Sequence, residues 1–261
     1  MNCVYENKKN ILIFTGGKSP STEKILSTLK NFKIDINSSF VICADSGLEI
    51  AQNCGIKVDF LLGDMDSIDK TLLEKIDNSV CKEVFSKDKD FSDTELAFVH
   101  AKKIPHNKIF LIGGSGGRVD HLIALLSLFR CKKEYNSIMD FPDFWLTEEN
   151  LIVFCKKNSK FQISGLKQSD NVSVFSLFEN NFFKPKIFSS GLKWKLQNVN
   201  WKKQVSLSNR KSELTNKSSQ NDTNVGIFAK RGNFLIILPL RDSIKVSNSC
   251  KKKLIFFVRL F

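Results

Sequence analysis

The chain of 261 residues is long enough to bury one large hydrophobic core or two smaller ones. Its 42% apolar and 26% charged content is that of an ordinary globular protein. No apolar run approaches the roughly 20 residues of a membrane-spanning helix, and residues 11–14 are too short for the core of a signal peptide. The composition therefore argues against a helical membrane protein and predicts a cytoplasmic one.

Basic residues exceed acidic ones by 40 − 27 = +13. This charge is spread along the chain in short groups such as residues 251–253. A lysine-rich solvated surface that favours anionic substrates is the simpler interpretation, with no stable complex with nucleic acid, although nucleic acid remains an alternative partner. The seven cysteines are scattered and never spaced Cys-x-x-Cys, which predicts reduced thiols without a disulfide framework or a zinc site.

The first half of the chain alternates short apolar runs with helical patterns. The predicted strands are 10–14, 40–44, 58–62 and 108–112, and the predicted helices are 22–29, 47–53, 67–76, 94–103 and 119–129. Such alternation predicts an α/β fold, with a mostly parallel sheet that carries helices on both faces. Ligands of these sheets bind beyond the carboxyl ends of the strands.

From about residue 150 the helical period disappears. The predicted strands are 151–155, 172–178, 192–196, 225–230, 234–240 and 254–258, and residues 208–224 read as a long loop rich in Ser, Asn, Lys and Thr. This pattern predicts a smaller antiparallel β domain, a sandwich or an open barrel. We therefore divide the chain into residues 1–148 and 149–261.

Acidic residues follow the predicted strands of the first half. Asp45 follows the second strand, Asp64 and Asp66 follow the third, and Asp120 follows the fourth, after a glycine run. A further group, Asp88, Asp90, Asp93 and Glu95, precedes the helix at 94–103. Any one aspartate could merely cap a helix or make a turn. Four acidic motifs along one edge of a parallel sheet instead predict a site for a hard cation and a phosphate.

The glycine run at 113–117 could bring backbone N–H groups close to a phosphate, but alone it is a weak signal. It does not fit the dinucleotide fingerprint, because Val119 stands where the third glycine belongs. The segment 15–19 is not a Walker A loop either, because Leu12 occupies the position of its first glycine.

Four ordered motifs resemble the catalytic domain of thiamine pyrophosphokinases. They are Ala44-Asp45-Ser46-Gly47, Gly63-Asp64-Met65-Asp66-Ser67-Ile68, Lys89-Asp90-Phe91-Ser92-Asp93-Thr94-Glu95 and Gly116-Gly117-Arg118-Val119-Asp120-His121. In the second half, Ser190-Gly191-Leu192-Lys193-Trp194 and Ser206-Leu207-Ser208-Asn209 are similar to that family's thiamine-side motifs. Ser46 departs from the family's usual glycine and Ser92 from its usual threonine, and the match between residues 130 and 185 is loose.

The resemblance implies an enzyme that transfers pyrophosphate from ATP to the hydroxyethyl group of thiamine, in a catalytic domain at 1–148 and a thiamine-binding domain at 149–261. It implies Mg²⁺ held by Asp64, Asp66 and Asp90, with Arg118 and Lys89 stabilising phosphate charge. Asp93 and Asp120 are both candidates for the group that orients or deprotonates the attacking hydroxyl. The expected ATP-binding residues also include Asp45, Ser46, Gly47, Gly114, Gly116, Gly117 and His121. Trp194, Ser208 and Asn209 are the expected thiamine-binding residues, and a homodimer is implied.

Two other functions stay open from the sequence. The acidic motifs would look the same in a related pyrophosphokinase that acts on another small alcohol, such as a pterin. A basic nucleic-acid-binding protein that uses its β domain as an oligonucleotide platform is the alternative from a different class.

Overall fold

The computed structural model describes residues 8–66, 68–74, 76–86, 90–130, 139–177, 184–201, 205–212 and 224–248. The chain forms two compact units: Met1–Val153 with Leu240–Asp242, and Phe154–Pro239 with Ser243–Phe261. The assignment of ATP to one domain and thiamine to the other stays a prediction. Within the described ranges, no helix has both the length and the apolar character needed to cross a membrane.

The first unit is built on a mostly parallel sheet. Its strands are β1 Asn10–Thr15, β2 Ser39–Ala44, β3 Phe60–Gly63, β4 Cys81–Val84, β5 Lys108–Gly113, β6 Phe144–Leu146 and β7 Asn150–Cys155. Its helices are α1 Thr22–Asn31, α2 Gly47–Asn53, α3 Lys70–Glu74, α4 Asp93–Lys102 and α5 Val119–Arg130. The strand order is β7-β6-β5-β1-β2-β3-β4, and only the β6–β7 pair is antiparallel.

Aromatic contacts place helices on both faces of this sheet. The ring of Phe32, at the end of α1, packs edge-on against Phe110 of β5. The ring of His100 in α4 stacks on Phe60 of β3. Through β2 and β1, Phe60 is in register with Leu111, the strand neighbour of Phe110. Because neighbours in a strand point to opposite faces, α1 and α4 cover opposite faces and the predicted α/β fold is confirmed.

The strand order reverses direction at β1. From β1 the chain moves outward through β2, β3 and β4, and it then returns to β5 on the other side of β1. The connections after β1 and β5 therefore leave in opposite directions, which opens a crevice beyond the carboxyl ends of these two strands.

The second unit contains two antiparallel sheets. Its strands are β8 Lys160–Ser164, β9 Val172–Ser176, β10 Lys186–Ser190, β11 Val205–Asn209, β12 Val225–Arg231, β13 Phe234–Pro239 and β14 Lys245–Asn248. They are ordered β11-β9-β13 in one sheet and β10-β12-β8-β14 in the other. Buried residues alternate with more exposed ones along β8 and β10, as expected for sheets with one face on a core. The predicted antiparallel β domain is confirmed.

Several predicted elements differ from the structure. The predicted strand at 192–196 is wrong: Leu192 makes an isolated bridge with Lys211, and a short 3-10 helix begins at Leu196. The helix predicted at 67–76 is shorter, and its proposed cap, Ser67, lies outside the described residues. The strand predicted at 254–258 and residues 213–223 of the predicted loop also lie outside them.

Four of the seven cysteines lie in the described residues, and three of these four follow the prediction. Cys43, Cys54 and Cys155 are free thiols, and burial raises the pKa of the Cys43 and Cys155 thiols. Cys81 is disulfide-bonded, so the prediction of a reduced thiol is wrong there.

Candidate active site

A cavity of about 180 Å³ lies where the sheet order reverses. Gly16 and Gly17, after β1, and Gly114 and Gly116, after β5, form one part of its lining. The rest comes from Ser92, Thr94 and Glu95 at the start of α4, and from His121, Ala124, Leu125 and Leu128 of α5. The cavity thus combines bare peptide backbone with an apolar wall, a combination suited to a phosphate-bearing ligand that has a flat, less polar part.

The two glycine loops are fixed to each other by hydrogen bonds. The Gly114 N–H donates to the Gly16 carbonyl at 2.9 Å, and the Ser115 hydroxyl donates to the Lys18 carbonyl at 2.8 Å. Gly114 and Gly116 have φ angles of 72° and 67°, which side chains seldom adopt. The glycine run is therefore a defined turn, with Gly114 and Gly116 in the cavity lining and Gly117 exposed outside it. The prediction that these three glycines bind ATP stays a prediction.

Three further residues support the cavity and were missed from the sequence. The buried hydroxyls of Thr15 and Thr94 are hydrogen-bonded at 2.6 Å, which joins the end of β1 to the start of α4. The buried Trp145 indole donates to the Gly113 carbonyl at 2.7 Å and so fixes the start of the glycine turn. The sequence carries no local signal for these contacts, because the partners are distant along the chain.

The start of α4 is fixed by a capping box. The Ser92 hydroxyl accepts from the Glu95 N–H, and the Glu95 carboxylate accepts from the Ser92 N–H at 2.7 Å. This box places Asp93 at the first position of the helix, where the helix dipole favours a negative charge. The Ser-x-x-Glu pattern was present in the sequence and could have located this helix start.

Asp45, Asp64 and Asp93 form an electrostatic cluster: the first two follow β2 and β3, and Asp93 opens α4. Burial, a hydrogen bond with Asp93 and the negative charges of Asp93 and Asp64 raise the pKa of Asp45 to about 7. The Asp45 Oδ1 atom is buried without a hydrogen-bond partner. Such a cluster favours a bound proton or a cation, since like charges cannot all remain ionised at close range.

The backbone around this cluster is strained. Asp45 and Met65 have φ angles of 46° and 62°, and Gly63 has a φ of 137°. A Cβ atom added at Gly63 would lie 1.8 Å from Asp45 Oδ1, so only glycine leaves room for that carboxylate. Non-glycine residues with positive φ concentrate at functional sites, where the surrounding structure holds them.

The carboxylates of this cluster are the kind of ligand that magnesium prefers, but they are too few to complete its coordination shell. Among the side chains that the structure describes, no three from His, Cys, Asp and Glu are grouped closely enough to hold a metal ion by themselves. Magnesium commonly uses one or two carboxylates and completes its shell with phosphate oxygens and water. The orphaned oxygen of Asp45 beside Asp64 is consistent with that requirement.

The remaining predicted magnesium and phosphate residues are more exposed. Asp66 donates its N–H to the Asp64 carboxylate at 3.1 Å, while its own side chain is exposed. Asp90 is exposed ahead of α4, and Lys89 lies outside the described residues.

Arg118 and Asp120 form an exposed two-point ion pair at the start of α5. The Arg118 Nε and Nη2 atoms donate to the two Asp120 oxygens, the first at 3.2 Å. The hydrogen bond from Arg118 holds the pKa of Asp120 below its usual range. His121, by contrast, lines the cavity.

Ser46 and Gly47 contact β1 and its loop. The Ser46 hydroxyl lies 2.3 Å from where a Cβ of Gly16 would stand, so it borders the cavity loop. A Cβ at Gly47 would lie 2.2 Å from the Phe14 carbonyl oxygen, so Gly47 allows α2 to pack closely on β1. A nucleotide-binding role for Gly47 stays a prediction.

In the second unit, Asn209 holds the backbone of Trp194. The fully buried Asn209 side chain accepts from the Trp194 N–H at 3.1 Å and donates to the Trp194 carbonyl at 2.6 Å. The Trp194 ring is 51% exposed and borders a second cavity with Lys193 and Lys195. Ser208 is exposed, with a φ of 51°. The structure thus brings two of the three predicted thiamine residues together, with Asn209 positioning the tryptophan.

Comparisons with known proteins agree with the motifs. Residues 33–139 match the family model "Thiamin pyrophosphokinase, catalytic domain". The resemblance inferred from the motifs is therefore confirmed over residues 33–139. No curated protein matches the chain in sequence.

Solved structures share the fold at low sequence identity. Thiamine pyrophosphokinase from Bacillus subtilis is 19% identical with a TM-score of 0.63, and the match covers 89% of this chain and 100% of that one. The enzyme from Geobacillus thermodenitrificans is 18% identical with a TM-score of 0.62, and the match covers 94% of this chain and 100% of that one. The enzyme from Candida albicans is 16% identical, covers 90% of each chain and has a TM-score of 0.61. At this level of sequence identity, the structural similarity shows a shared fold and no more.

Proposed function

We propose, starting from the match of residues 33–139 to the thiamin pyrophosphokinase catalytic domain, that this protein transfers pyrophosphate from ATP to thiamine and releases AMP. The observation that carries the proposal is the Asp45–Asp64–Asp93 cluster, which lies at the same strand-end edge as the glycine-lined cavity. The acidic residues suit a cation, and the cavity suits the phosphates and base of a nucleotide.

The cofactor of the proposal is Mg²⁺, which would offset phosphate charge and so favour displacement at the β-phosphorus. We expect Asp64, Asp66 and Asp90 to hold it as the family resemblance implies. We expect Asp45 to join this set, and its buried oxygen without a hydrogen-bond partner, close to Asp64, supports that role.

The glycine loops would bind the phosphates of ATP. Gly16, Gly17, Gly114 and Gly116 border the cavity, and they have no side chains to block the close approach of the phosphates. His121 and the apolar residues of α5 would contact the rest of the nucleotide. Arg118, exposed at the start of α5, would add its guanidinium to the phosphate charge.

Asp93 is the better candidate for the base. It is hydrogen-bonded to Asp45 beside the cavity, whereas Asp120 is paired with Arg118. The hydroxyethyl oxygen of thiamine bonds to the β-phosphorus, and its proton passes to the Asp93 carboxylate. The bond from the β-phosphorus to the α–β bridging oxygen breaks, and AMP leaves with that oxygen.

Thiamine recognition would use the second unit. The exposed face of Trp194 suits a flat cationic ring, and Asn209 fixes the backbone that carries it. Ser208 would supply a hydroxyl for the polar edge of the ring system. We also expect a homodimer in the cytoplasm, and light scattering of the purified protein tests the dimer.

The direct test is to mix the protein with ATP, Mg²⁺ and thiamine and to measure AMP and thiamine diphosphate. If product forms only with a pterin alcohol, the protein is instead a pyrophosphokinase that acts on a pterin. Salt-sensitive binding to RNA without any transfer would contradict the enzyme.

The two candidate bases are separated by paired variants. Asp93→Asn should lower kcat by about 10²-fold or more, the usual contribution of a general base. Asp120→Asn should lower it less than about tenfold, because it removes only the partner of an exposed arginine. Asp242→Asn, a change at an exposed site that is bonded to Ser27, is the control. Equal losses in the first two variants would contradict the assignment of Asp93.

A further inference from the structure

Lys18 lies beside the glycine-lined cavity and has no role in the function described so far. It follows Gly17 directly, and its ammonium nitrogen lies 3.4 Å from a carboxylate oxygen of Glu148. Both side chains are well exposed, 61% for Lys18 and 48% for Glu148. Exposed pairs of this kind contribute little to stability, so Glu148 holds the ammonium only loosely.

The backbone of Lys18 is held more firmly than the ammonium group of its side chain. Lys18 and Ser115 form an isolated antiparallel bridge, and the Ser115 hydroxyl also donates to the Lys18 carbonyl. The same hydroxyl accepts from the Glu148 N–H at 3.0 Å. Ser115 therefore sets the position of both members of the ion pair relative to the glycine turn.

The stem of Lys18 lies against Gly116, a residue that lines the cavity. A Cβ atom at Gly116 would lie 2.5 Å from the Cδ atom of Lys18 and 2.7 Å from its Cγ atom. The side chain thus starts next to one lining glycine, Gly17, and passes over another. Rotation about its terminal bonds can carry the ammonium from Glu148 to the cavity, because the fixed part of the stem already borders it.

We propose that Lys18 binds the phosphates of the nucleotide and that Glu148 is the counter-ion it leaves when the nucleotide enters. This rests on the proposed function, since it assigns a residue to the ATP site. A triphosphate chain, which carries several negative charges, outcompetes one exposed carboxylate for the ammonium. Lys18 then supplies a point charge for the phosphates, although its loop is not a Walker A loop.

The consequence is that Lys18 and Glu148 act on nucleotide binding in opposite directions. Removing the Lys18 charge weakens the binding of phosphates. Removing the Glu148 charge strengthens it, because the ammonium no longer has to leave a partner. A purely structural ion pair would give the same sign for both changes, since either variant breaks it.

The test measures the dissociation constants of a non-hydrolysable ATP analogue and of adenosine, by calorimetry, for the full-length protein and its variants. Lys18→Met should weaken binding of the analogue by about tenfold, equivalent to about 1.4 kcal/mol. It should leave adenosine, which has no phosphate, unchanged. Glu148→Gln should tighten binding of the analogue by about twofold to fivefold, and Lys18→Arg should restore most of the affinity.

Lys24→Met is the matched control, since Lys24 forms a similar exposed pair with Asp242 at 3.6 Å but does not border the cavity. In the transfer assay, Lys18→Met should raise the KM for ATP and leave the KM for thiamine unchanged. If the wild type is active and Lys18→Met binds the analogue with the same affinity, the role of Lys18 is overturned while the proposed function stands. Wild-type protein that neither binds the analogue nor transfers pyrophosphate would overturn the proposed function, and this inference with it.

Discussion

Asp45 depends on a neighbour that has no side chain. Its carboxylate occupies the space in which a Cβ of Gly63 would lie, and both residues have positive φ angles. The position of this acid is therefore determined by two strained backbone conformations on adjacent strands, β2 and β3. Such strain persists only where the surrounding packing enforces it.

Gly63→Ala should reduce turnover by about 10²-fold, because the new methyl group displaces the Asp45 carboxylate from the cluster. The matched control is Gly55→Ala, since Gly55 also has a positive φ, of 64°, but nothing lies within 4 Å of its Cβ position. That control should lose about 1 kcal/mol of stability and keep its activity. Steady-state kinetics and urea unfolding of both variants measure the difference. Equal activity in the two would show that the Asp45 position does not matter for catalysis.

The acidic residues could be predicted from the sequence, but their partners could not. Asp45, Asp64 and Asp93 follow apolar strands or open a helix, and the topology of a parallel sheet brings such positions together. The support from Thr15 and Trp145 depends on contacts between residues far apart in sequence, at positions without a distinctive motif. The same holds for Lys18, because its loop does not fit the Walker A pattern and its contacts with Gly116 and Glu148 join distant parts of the chain.

Helix α4 connects the capping box to the cavity. Its first residues are Asp93 and Thr94, and the box formed by Ser92 and Glu95 fixes their backbone. Where the helix begins therefore determines where the candidate base lies.

Ser92→Ala should lower the free energy of unfolding by about 1 kcal/mol and lower kcat severalfold, because the first turn of α4 loosens. Ser92→Thr should retain both, since threonine also caps. Ser21, which caps α1 by accepting from the Lys24 N–H, gives a control away from the cavity. Ser21→Ala should lose stability with unchanged kcat. A normal kcat in Ser92→Ala would show that the helix start does not affect catalysis.

Elements with strong apolar periodicity were predicted well, and the others were not. Strands β1, β2 and β5 are buried apolar runs, so their pattern was clear. Strand β4 was missed because its short segment is mostly exposed, and β6 because it has three residues. The wrong strand at 192–196 has alternating apolar residues, but Gly191, with a φ of 73°, and the hydrogen bonds of Asn209 hold it as a loop.

At the scale of the whole molecule, the net charge is positive, whereas the candidate site is rich in negative charge. The chain carries a formal charge of +13, while carboxylates gather at the strand ends. A positive surface would raise the local concentration of ATP, the proposed substrate, and the carboxylates would bind the proposed Mg²⁺. The arrangement suits a metal–nucleotide complex better than a free polyanion.

The stability of the molecule should fall between about pH 6.5 and pH 4 through His100. Burial against Phe60, together with the charge of Lys103, lowers the pKa of His100 from 6.5 to about 4. Within that window the unfolded chain binds a proton that the folded protein does not, so the free energy of unfolding decreases as the pH decreases. The effect should be on the order of 1 to 2 kcal/mol, after discounting for the partial exposure of the ring.

Urea unfolding at pH 7 and pH 4.5 measures this contribution. His100→Phe keeps the aromatic stack and removes the titrating group, so its stability should decrease less over the same range. Identical pH dependence in His100→Phe and wild type would contradict the prediction.

The three tryptophans give this molecule its own optical probes. Trp145 and Trp201 are buried, and each donates its indole N–H to a carbonyl, whereas half of Trp194 is open to solvent. Indole emission shifts to longer wavelength in water, so Trp194 should dominate the red edge of the spectrum and be quenched first by acrylamide. Because Trp145 bonds to the residue that opens the glycine turn, its share of the blue emission, to which Trp201 also contributes, would report on that loop without any attached dye. Trp194 would report separately, at the red edge, on the cavity that it borders.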